Sequence, residues 1–170
     1  MRSSSAYLLA LAIFVFVLLF LDVRLALFTL FTAAMLADLL AQAVRRATPA
    51  LPGNTILVPV PASRASVLER GFNPAAEVAR CLGRALRMPY RPQLLLRVQE
   101  GQRQTRLGRA DRSRSVQDLY GCPQRVDGAA IAIVDDVLTT GSTLHSIALQ
   151  FKDAGAESVC GLVLARTPYR

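Results

Sequence analysis

One stretch constrains the fold more than any other part of the chain: residues 130–143, with the sequence AIAIVDDVLTTGST. It opens with five small or β-branched apolar residues in a row, which is typical of a strand buried on both faces of a parallel sheet. Asp135 and Asp136 follow, where this strand is expected to end. A turn of hydroxyl-bearing residues around Gly141 then leads into a helical pattern. The stretch therefore predicts a strand–turn–helix unit of an α/β protein with a parallel sheet.

The same stretch predicts a ligand site. Ligands of open parallel sheets bind beyond the carboxyl ends of the strands, and the amides at the start of a helix attract anions. The two carboxylates add hydrogen-bond acceptors for hydroxyl groups within one turn of that anion site. Taken alone, an Asp-Asp pair at a strand end is more typical of solvent-exposed caps. The hydroxyl-rich turn behind it favours a sugar phosphate site instead.

Periodicity and chain-breaking residues predict the remaining elements. Asn73 is a favourable N-cap, with Pro74 at the first helical position, and Gly155 is a favourable helix stop. The predicted helices cover residues 25–46, 75–86 and the segment after Thr143, and the other predicted strands cover residues 55–60, 93–98, 118–122 and 158–165.

Several motifs together resemble one family. Residues 133–143, IVDDVLTTGST, resemble the phosphoribosyl-pyrophosphate (PRPP) motif of type I phosphoribosyltransferases. Residues 58–75 (VPVPASRASVLERGFNPA), the segment from 104 to 112 and the closing AGAESVCGLVLAR narrow the resemblance to the ComF/GntX-like competence branch. The resemblance covers roughly residues 25–166. It implies the type I phosphoribosyltransferase fold, a mostly parallel open sheet flanked by helices with a small hood.

The resemblance also implies roles for the residues of the PRPP motif. The residues expected to bind PRPP are Asp135, Asp136, Val137, Thr139, Thr140, Gly141, Ser142 and Thr143. Asp135 and Asp136 are the expected catalytic residues, which accept hydrogen bonds from the ribose hydroxyls and stabilise positive charge at C1′. Mg²⁺ is expected to arrive with PRPP near this pair, without a metal site of the protein's own.

Two further segments receive roles from the resemblance. The loop after the first predicted strand is similar to the one that holds pyrophosphate, with Arg64 as its candidate cation; its residues are Pro61, Ala62, Ser63 and Arg64. The arginine-rich residues 99–117 resemble a flexible loop that closes over PRPP, represented here by Arg103, Gln104 and Arg106. A solvated arginine-rich helix and a nucleic-acid-binding surface are the alternatives for this segment.

The amino terminus departs from the family pattern. Residues 6–21 are sixteen consecutive apolar residues, a little short of the about 20 that span a bilayer. A membrane anchor, a non-native start and a helix packed on the domain or a partner are three open interpretations. The chain is accordingly divided into an apolar segment, 1–24, and a phosphoribosyltransferase domain, 25–170. An anchor would hold a cytoplasmic domain at the inner face of the membrane, because arginines follow the apolar run.

Composition and motif content exclude some classes of function. The net charge is +8, and Lys152 is the only lysine among 20 basic residues, a surplus that suits polyanionic partners. The three cysteines are scattered without C-x-x-C spacing, and one histidine, His145, is present, so no zinc is expected. Glycine-rich nucleotide motifs and the G-x-S-x-G elbow are absent from the sequence, which argues against a P-loop enzyme, a dinucleotide-binding enzyme or a serine hydrolase.

Two functional hypotheses follow. In the first, an enzyme transfers 5-phosphoribosyl from PRPP to a nitrogen nucleophile and releases pyrophosphate, with an acceptor that the motifs do not define. In the second, a non-catalytic accessory protein of DNA uptake senses PRPP or a nucleotide and binds single-stranded DNA or the competence machinery. Both require PRPP or a related phosphate as a partner, and a membrane contact through residues 6–21 is compatible with either.

Overall fold

The computed structural model describes residues 27–47, 49–98 and 119–167. The helices and strands within them are, in chain order, α1 (Leu27–Arg46), β1 (Thr55–Pro59), α2 (Arg64–Arg70), α3 (Pro74–Leu86), β2 (Leu96–Arg97), β3 (Tyr120–Gly121), β4 (Ala130–Leu138), α4 (Ser142–Asp153) and β5 (Ser158–Arg166). The predictions for residues 6–21 and for Arg103, Gln104 and Arg106 lie outside the described residues, and the domain boundary near residue 25 stays a prediction.

A parallel sheet forms the centre of the fold. Its strand order is β1-β4-β5, and β4 pairs with β1 from Thr55↔Ala130 to Pro59↔Val134. Both faces of the central strand, β4, are covered by packed side chains, which explains its continuous apolar run. Residues 89–91 extend the sheet beyond β1, where the amide of Leu57 donates to the carbonyl of Pro89 at 2.8 Å. The predicted parallel α/β architecture is confirmed.

Helices cover both faces of this sheet, and alternate residues of β4 face different helices. Ile131 and Ile133 belong to a core that contains Ile147 and Phe151 of α4. Ala132 and Val134 belong to a second core formed with α1 and α3, whose other buried members are Ala33, Ala37, Ala41, Leu57, Val78, Ala79 and Leu82. The alternation of side chains along a strand therefore divides the interior into two cores, one on each face of the sheet.

Helix α1 packs through its small residues. Ala33, Ala37 and Ala41 are spaced four apart and buried, so the helix backbone approaches the sheet and α3 closely. Large apolar side chains of the same helix are exposed, namely Leu27, Phe28, Leu30, Phe31, Met35 and Leu39. By length and composition α1 is the one described helix that could span a membrane, a property that core helices of soluble proteins share.

Three local predictions required correction. β4 does not end before Asp135 but continues to Leu138, because β5 extends alongside it and pairs as far as Arg166. The strand predicted for residues 93–98 is shorter, since Pro92–Leu94 forms a 3₁₀ turn and the strand covers only Leu96–Arg97. Helix α2 was not predicted, although Ser63 caps its first turn and Gly71 ends it in the left-handed conformation.

Candidate functional site

The candidate site lies at the carboxyl edge of the sheet, where neighbouring strands end at different heights. β1 stops at Pro59, and the amide of Val60 makes a last hydrogen bond to the carbonyl of Val134 at 2.9 Å. β4 continues past this point beside β5, which pairs Asp135 with Val163. The acidic pair therefore lies on a part of β4 that pairs with β5 but no longer with β1. Both side chains are only partly buried.

Each carboxylate of the pair accepts a local backbone hydrogen bond. Oδ1 of Asp135 accepts the amide of Asp136 at 3.0 Å, and Oδ1 of Asp136 accepts the amide of Val137 at 2.8 Å. Burial, together with the charge of Asp136 and against the lowering effect of the Asp136 amide, raises the pKa of Asp135 to about 6. A cation or a hydrogen-bond donor brought by a ligand would favour the ionised pair.

The turn after β4 begins helix α4 without a side-chain cap. Gly141 occupies the N-cap position with a φ of 81°, a left-handed conformation that favours glycine. Thr140 and Ser142 form a hydroxyl–hydroxyl hydrogen bond of 3.0 Å beside it. Because Gly141 has no side chain, it offers no acceptor to the first amides of α4. An anion at this helix start would complete their hydrogen bonding.

The loop after β1 is held in place by capping side chains. Oγ of Ser63 accepts the amide of Ser66 at 3.0 Å and starts α2. Asn73 donates from Nδ2 to the carbonyl of Val60 at 2.9 Å, while its Oδ1 accepts the amide of Ala75 at 3.1 Å. Asn73 thus ties the end of β1 to the start of α3 and fixes the loop between them.

A small antiparallel pair, β2 and β3, contributes a basic and an aromatic side chain. Arg97 is directly opposite Tyr120, with its guanidinium carbon 5.7 Å from the ring centroid and Nη1 3.5 Å from the hydroxyl oxygen. Burial raises the pKa of Tyr120, Arg97 lowers it and Asp135 raises it. The charges that act on Tyr120 thus come both from its own strand pair and from the acidic pair on β4.

These elements line an open cavity of about 400 Å³. Of the residues predicted for the site, the ones that line it are Pro61, Ala62, Ser63, Asp135, Asp136, Val137 and Thr143. The described residues of the prediction that do not line it are Arg64, Thr139, Thr140, Gly141 and Ser142. The structure thus brings the end of β1 and the acidic pair together, and the roles assigned to these residues stay predictions.

The predicted site left out five polar or charged residues of the cavity wall. These are Ser66, Arg70, Asn73, Arg97 and Tyr120. Arg70 and Asn73 lie in the segment ERGFN, where Asn73 was noticed only as a helix cap. No local pattern joins Arg97 to Tyr120, because their strands are two residues each and more than 20 residues of sequence separate them.

The acidic pair is suited to a metal ion that arrives with a phosphate ligand. The described residues contain no group of three or more histidine, cysteine or acidic side chains that could hold a metal. Mg²⁺ is commonly bound through one or two carboxylates together with substrate phosphates. Two half-buried carboxylates, each with a second oxygen beyond its backbone hydrogen bond, match that donor set.

Three curated proteins illustrate what the chain is similar to in sequence. It is 36% identical over 138 residues to DNA utilization protein YhgH of Salmonella typhi, which covers 79% of this chain and 60% of that protein. Competence protein F of Haemophilus influenzae is 32% identical over 136 residues, covering 77% and 59%. Competence protein ComFC of Bacillus subtilis is 34% identical over 113 residues, covering 66% and 45%. The chain spans about three fifths or less of the length of these relatives.

Two solved phosphoribosyltransferase structures illustrate what the chain is similar to in backbone structure. A hypoxanthine phosphoribosyltransferase of Trypanosoma cruzi is 17% identical, with a TM-score of 0.44 over 82% of this chain and 77% of that one. Adenine phosphoribosyltransferase of Leishmania tarentolae is also 17% identical, with a TM-score of 0.42 over 78% and 70%. No family model matches the chain. The sequence relatives confirm the predicted family: over the part that it shares with them, the chain belongs to the ComF-like competence proteins.

Proposed function

We propose that this protein binds Mg²⁺-PRPP in the cavity and transfers its 5-phosphoribosyl group to a nitrogen nucleophile with release of pyrophosphate. One observation carries the proposal: the acidic pair of β4, the loop after β1 and Thr143 of α4 line the same cavity. A sugar phosphate with a second phosphate group needs these three contacts at once. Membership of the ComF-like family supports the choice of PRPP among such ligands.

The proposed pose follows the chemistry of each element. The 5′-phosphate lies at the start of α4, where the N-cap residue, Gly141, offers no side-chain acceptor to the first amides of the helix. Asp135 and Asp136 accept hydrogen bonds from the ribose hydroxyls. As the C1′–O bond to pyrophosphate breaks and the bond from C1′ to nitrogen forms, positive charge develops on the ribosyl ring. The two carboxylates stabilise that charge electrostatically.

The proposal includes Mg²⁺ as the metal ion that accompanies PRPP. Asp135 and Asp136 would hold Mg²⁺ carried by the ligand, directly or through water. When bound, the ion supplies positive charge that neutralises the departing pyrophosphate.

Titration calorimetry with Mg²⁺-PRPP tests the binding step. The wild-type protein should release heat on titration, and a variant with both Asp135→Asn and Asp136→Asn should not. Glu157→Gln is the matched control, because Glu157 is exposed and remote from the cavity wall. Circular dichroism checks that each variant is folded. A folded wild-type protein without binding heat would refute the proposal, and pyrophosphate release with a panel of nucleobases tests the transfer step.

A second candidate function is a non-catalytic role in DNA uptake, in which the protein senses PRPP or a nucleotide and binds single-stranded DNA. The names of the relatives, DNA utilization protein and competence protein, favour a link to DNA. The net charge of +8 suits a polyanion. Binding to phosphates would weaken steeply with added salt. Salt-sensitive DNA binding without pyrophosphate release would support this candidate over the enzyme.

The proposed compartment is the cytoplasm, where PRPP is made and used. If residues 6–21 form an anchor, the domain lies at the inner face of the cytoplasmic membrane. Cell fractionation of the full chain beside a variant without residues 1–24 tests the anchor. Recovery of both forms in the soluble fraction would exclude it.

A further inference from the structure

Two arginines outside the predicted site line the cavity from different elements. Arg70 lies in the last turn of α2, immediately before Gly71 ends that helix. Arg97 lies on β2, on the side of the cavity formed by the small antiparallel pair. Within the described residues, Arg70 forms no ion pair with an acidic side chain. The cavity therefore offers guanidinium groups as well as the carboxylates of β4.

The chemistry of a diphosphate favours the guanidinium groups as its binding partners. Phosphate oxygens beside the acidic pair are repelled unless a cation intervenes. A guanidinium presents parallel N–H donors that match the oxygens of a phosphate. All three arginines are exposed, but Arg64, the predicted cation of this loop, does not line the cavity, whereas Arg70 and Arg97 do. Arg70 and Arg97 are thus better placed than Arg64 to meet a second phosphate group in the cavity.

Tyr120 restricts where the side chain of Arg97 lies. The ring is 6% exposed, so the surrounding core fixes its position. The guanidinium of Arg97 lies over the ring face, 5.7 Å from its centroid, an arrangement that attracts the cation. A guanidinium held in advance loses less rotational freedom when an anion binds. Tyr120 is therefore suited to position Arg97.

We propose that Arg70 and Arg97 bind the diphosphate group of the ligand, with Tyr120 as the positioning residue of Arg97. The proposal rests on the proposed function, because it names the residues that hold one half of PRPP. It assigns the other half, ribose 5-phosphate, to β4 and α4. The two halves of the ligand should therefore respond to different substitutions.

Titration calorimetry of the full chain with three ligands separates the halves: Mg²⁺-PRPP, Mg²⁺-pyrophosphate and ribose 5-phosphate. Arg70→Met and Arg97→Met should each weaken binding of PRPP and of pyrophosphate by about 10- to 100-fold and leave ribose 5-phosphate unchanged. Arg84→Met is the matched control, because Arg84 is an exposed arginine of α3 that does not line the cavity, and it should change none of the three. Arg64→Met tests the loop arginine and should also leave the three unchanged. Arg70→Met keeps the test valid if Arg97→Met does not fold, because Arg70 is an exposed residue at a helix end.

Tyr120 is tested by a pair of substitutions. Tyr120→Leu should weaken pyrophosphate binding, and Tyr120→Phe should restore it, since phenylalanine keeps the ring beneath the guanidinium. Ribose 5-phosphate binding, unchanged in both, would exclude a general structural defect.

The outcomes distinguish this inference from the function on which it rests. If the folded wild-type protein does not bind PRPP, the proposed function fails. If wild-type binds PRPP but both arginine variants bind all three ligands normally, or lose both halves equally, the assignment of the diphosphate is wrong. A loss of pyrophosphate binding in Arg64→Met alone would return the role to the loop arginine.

Discussion

Replacement of Asp135 by asparagine should stabilise the free protein at neutral pH while it weakens ligand binding. Asp135 lies on β4 just past the point where β1 ends, and its side chain is half-buried. Asparagine keeps an oxygen that can accept the amide of Asp136, as Oδ1 of Asp135 does at 3.0 Å. The substitution therefore removes mainly the charge.

The magnitude follows from the pKa. Burial, with the added charge of Asp136, raises the pKa of Asp135 from 3.8 to about 6, a difference of about two units. Each unit corresponds to about 1.4 kcal/mol, which gives about 3 kcal/mol without screening. Because the side chain is half-exposed, solvent screening reduces this to about 1 kcal/mol. For a chain of 170 residues that corresponds to an increase in Tm of about 2–4 °C.

The sign of the pH dependence is opposite to that of a salt-bridged carboxylate. A carboxyl whose pKa is higher in the folded state binds its proton more tightly there, so its ionisation costs stability above about pH 6. The cost declines as the pH falls towards the ordinary value of 3.8. The advantage of Asp135→Asn should thus be full at pH 7.5 and small at pH 4.5.

Urea unfolding of both proteins at pH 7.5 and pH 4.5 measures the difference. Glu157→Gln serves as the control, since Glu157 is exposed and its substitution should leave the free energy of unfolding unchanged at both pH values. A destabilised Asp135→Asn protein at pH 7.5, or an advantage that does not shrink at pH 4.5, would contradict the argument.

Three further predictions concern the same part of the molecule. Binding of Mg²⁺-PRPP should strengthen as the pH rises from 5.5 to 7.5, because the pKa of Asp135 is about 6 and the proposed pose requires the ionised carboxylate. Calorimetry in matched buffers measures the change in affinity. Asn73→Ala should lower the free energy of unfolding by about 1–2 kcal/mol through the lost cap, in urea titrations. Gly155→Ala should cost about 1–3 kcal/mol in the same assay, since Gly155 has a φ of 97°, a left-handed conformation that strains a residue with a Cβ.

The architecture could be predicted because its main signals are local. Five apolar residues in a row at the start of β4 identified the central strand, and burial on both faces is the physical reason for the run. The start of α3 could also be predicted from local residues, because Asn73 caps the helix and Pro74 is its first residue. Gly155, with its positive φ, follows the end of α4 as predicted.

The parts that could not be predicted depend on distant partners. The end of β4 is set by β5, which pairs with it to Leu138, and the local sequence contains no signal of that pairing. The contact between Arg97 and Tyr120 joins two-residue strands, which are too short for any periodic pattern. Helix α2 has capping residues at both ends, Ser63 and Gly71, but the prolines before it favoured the prediction of a loop. The cavity wall was therefore predicted on the sides formed by the loop after β1, by β4 and by Thr143 of α4. It was missed on the sides formed by α2, the start of α3 and the pair of β2 and β3.

Negatively and positively charged side chains both line the cavity. Two adjacent aspartates on a central strand oppose both β-propensity and each other's charge. Among the described residues, neither aspartate forms an ion pair with Arg70 or Arg97, although all four line the cavity. A ligand that brings a cation to the carboxylates and phosphates to the guanidiniums would satisfy both sets at once. Asp135→Asn should then stabilise the free protein and weaken ligand binding, since one uncompensated charge underlies both effects.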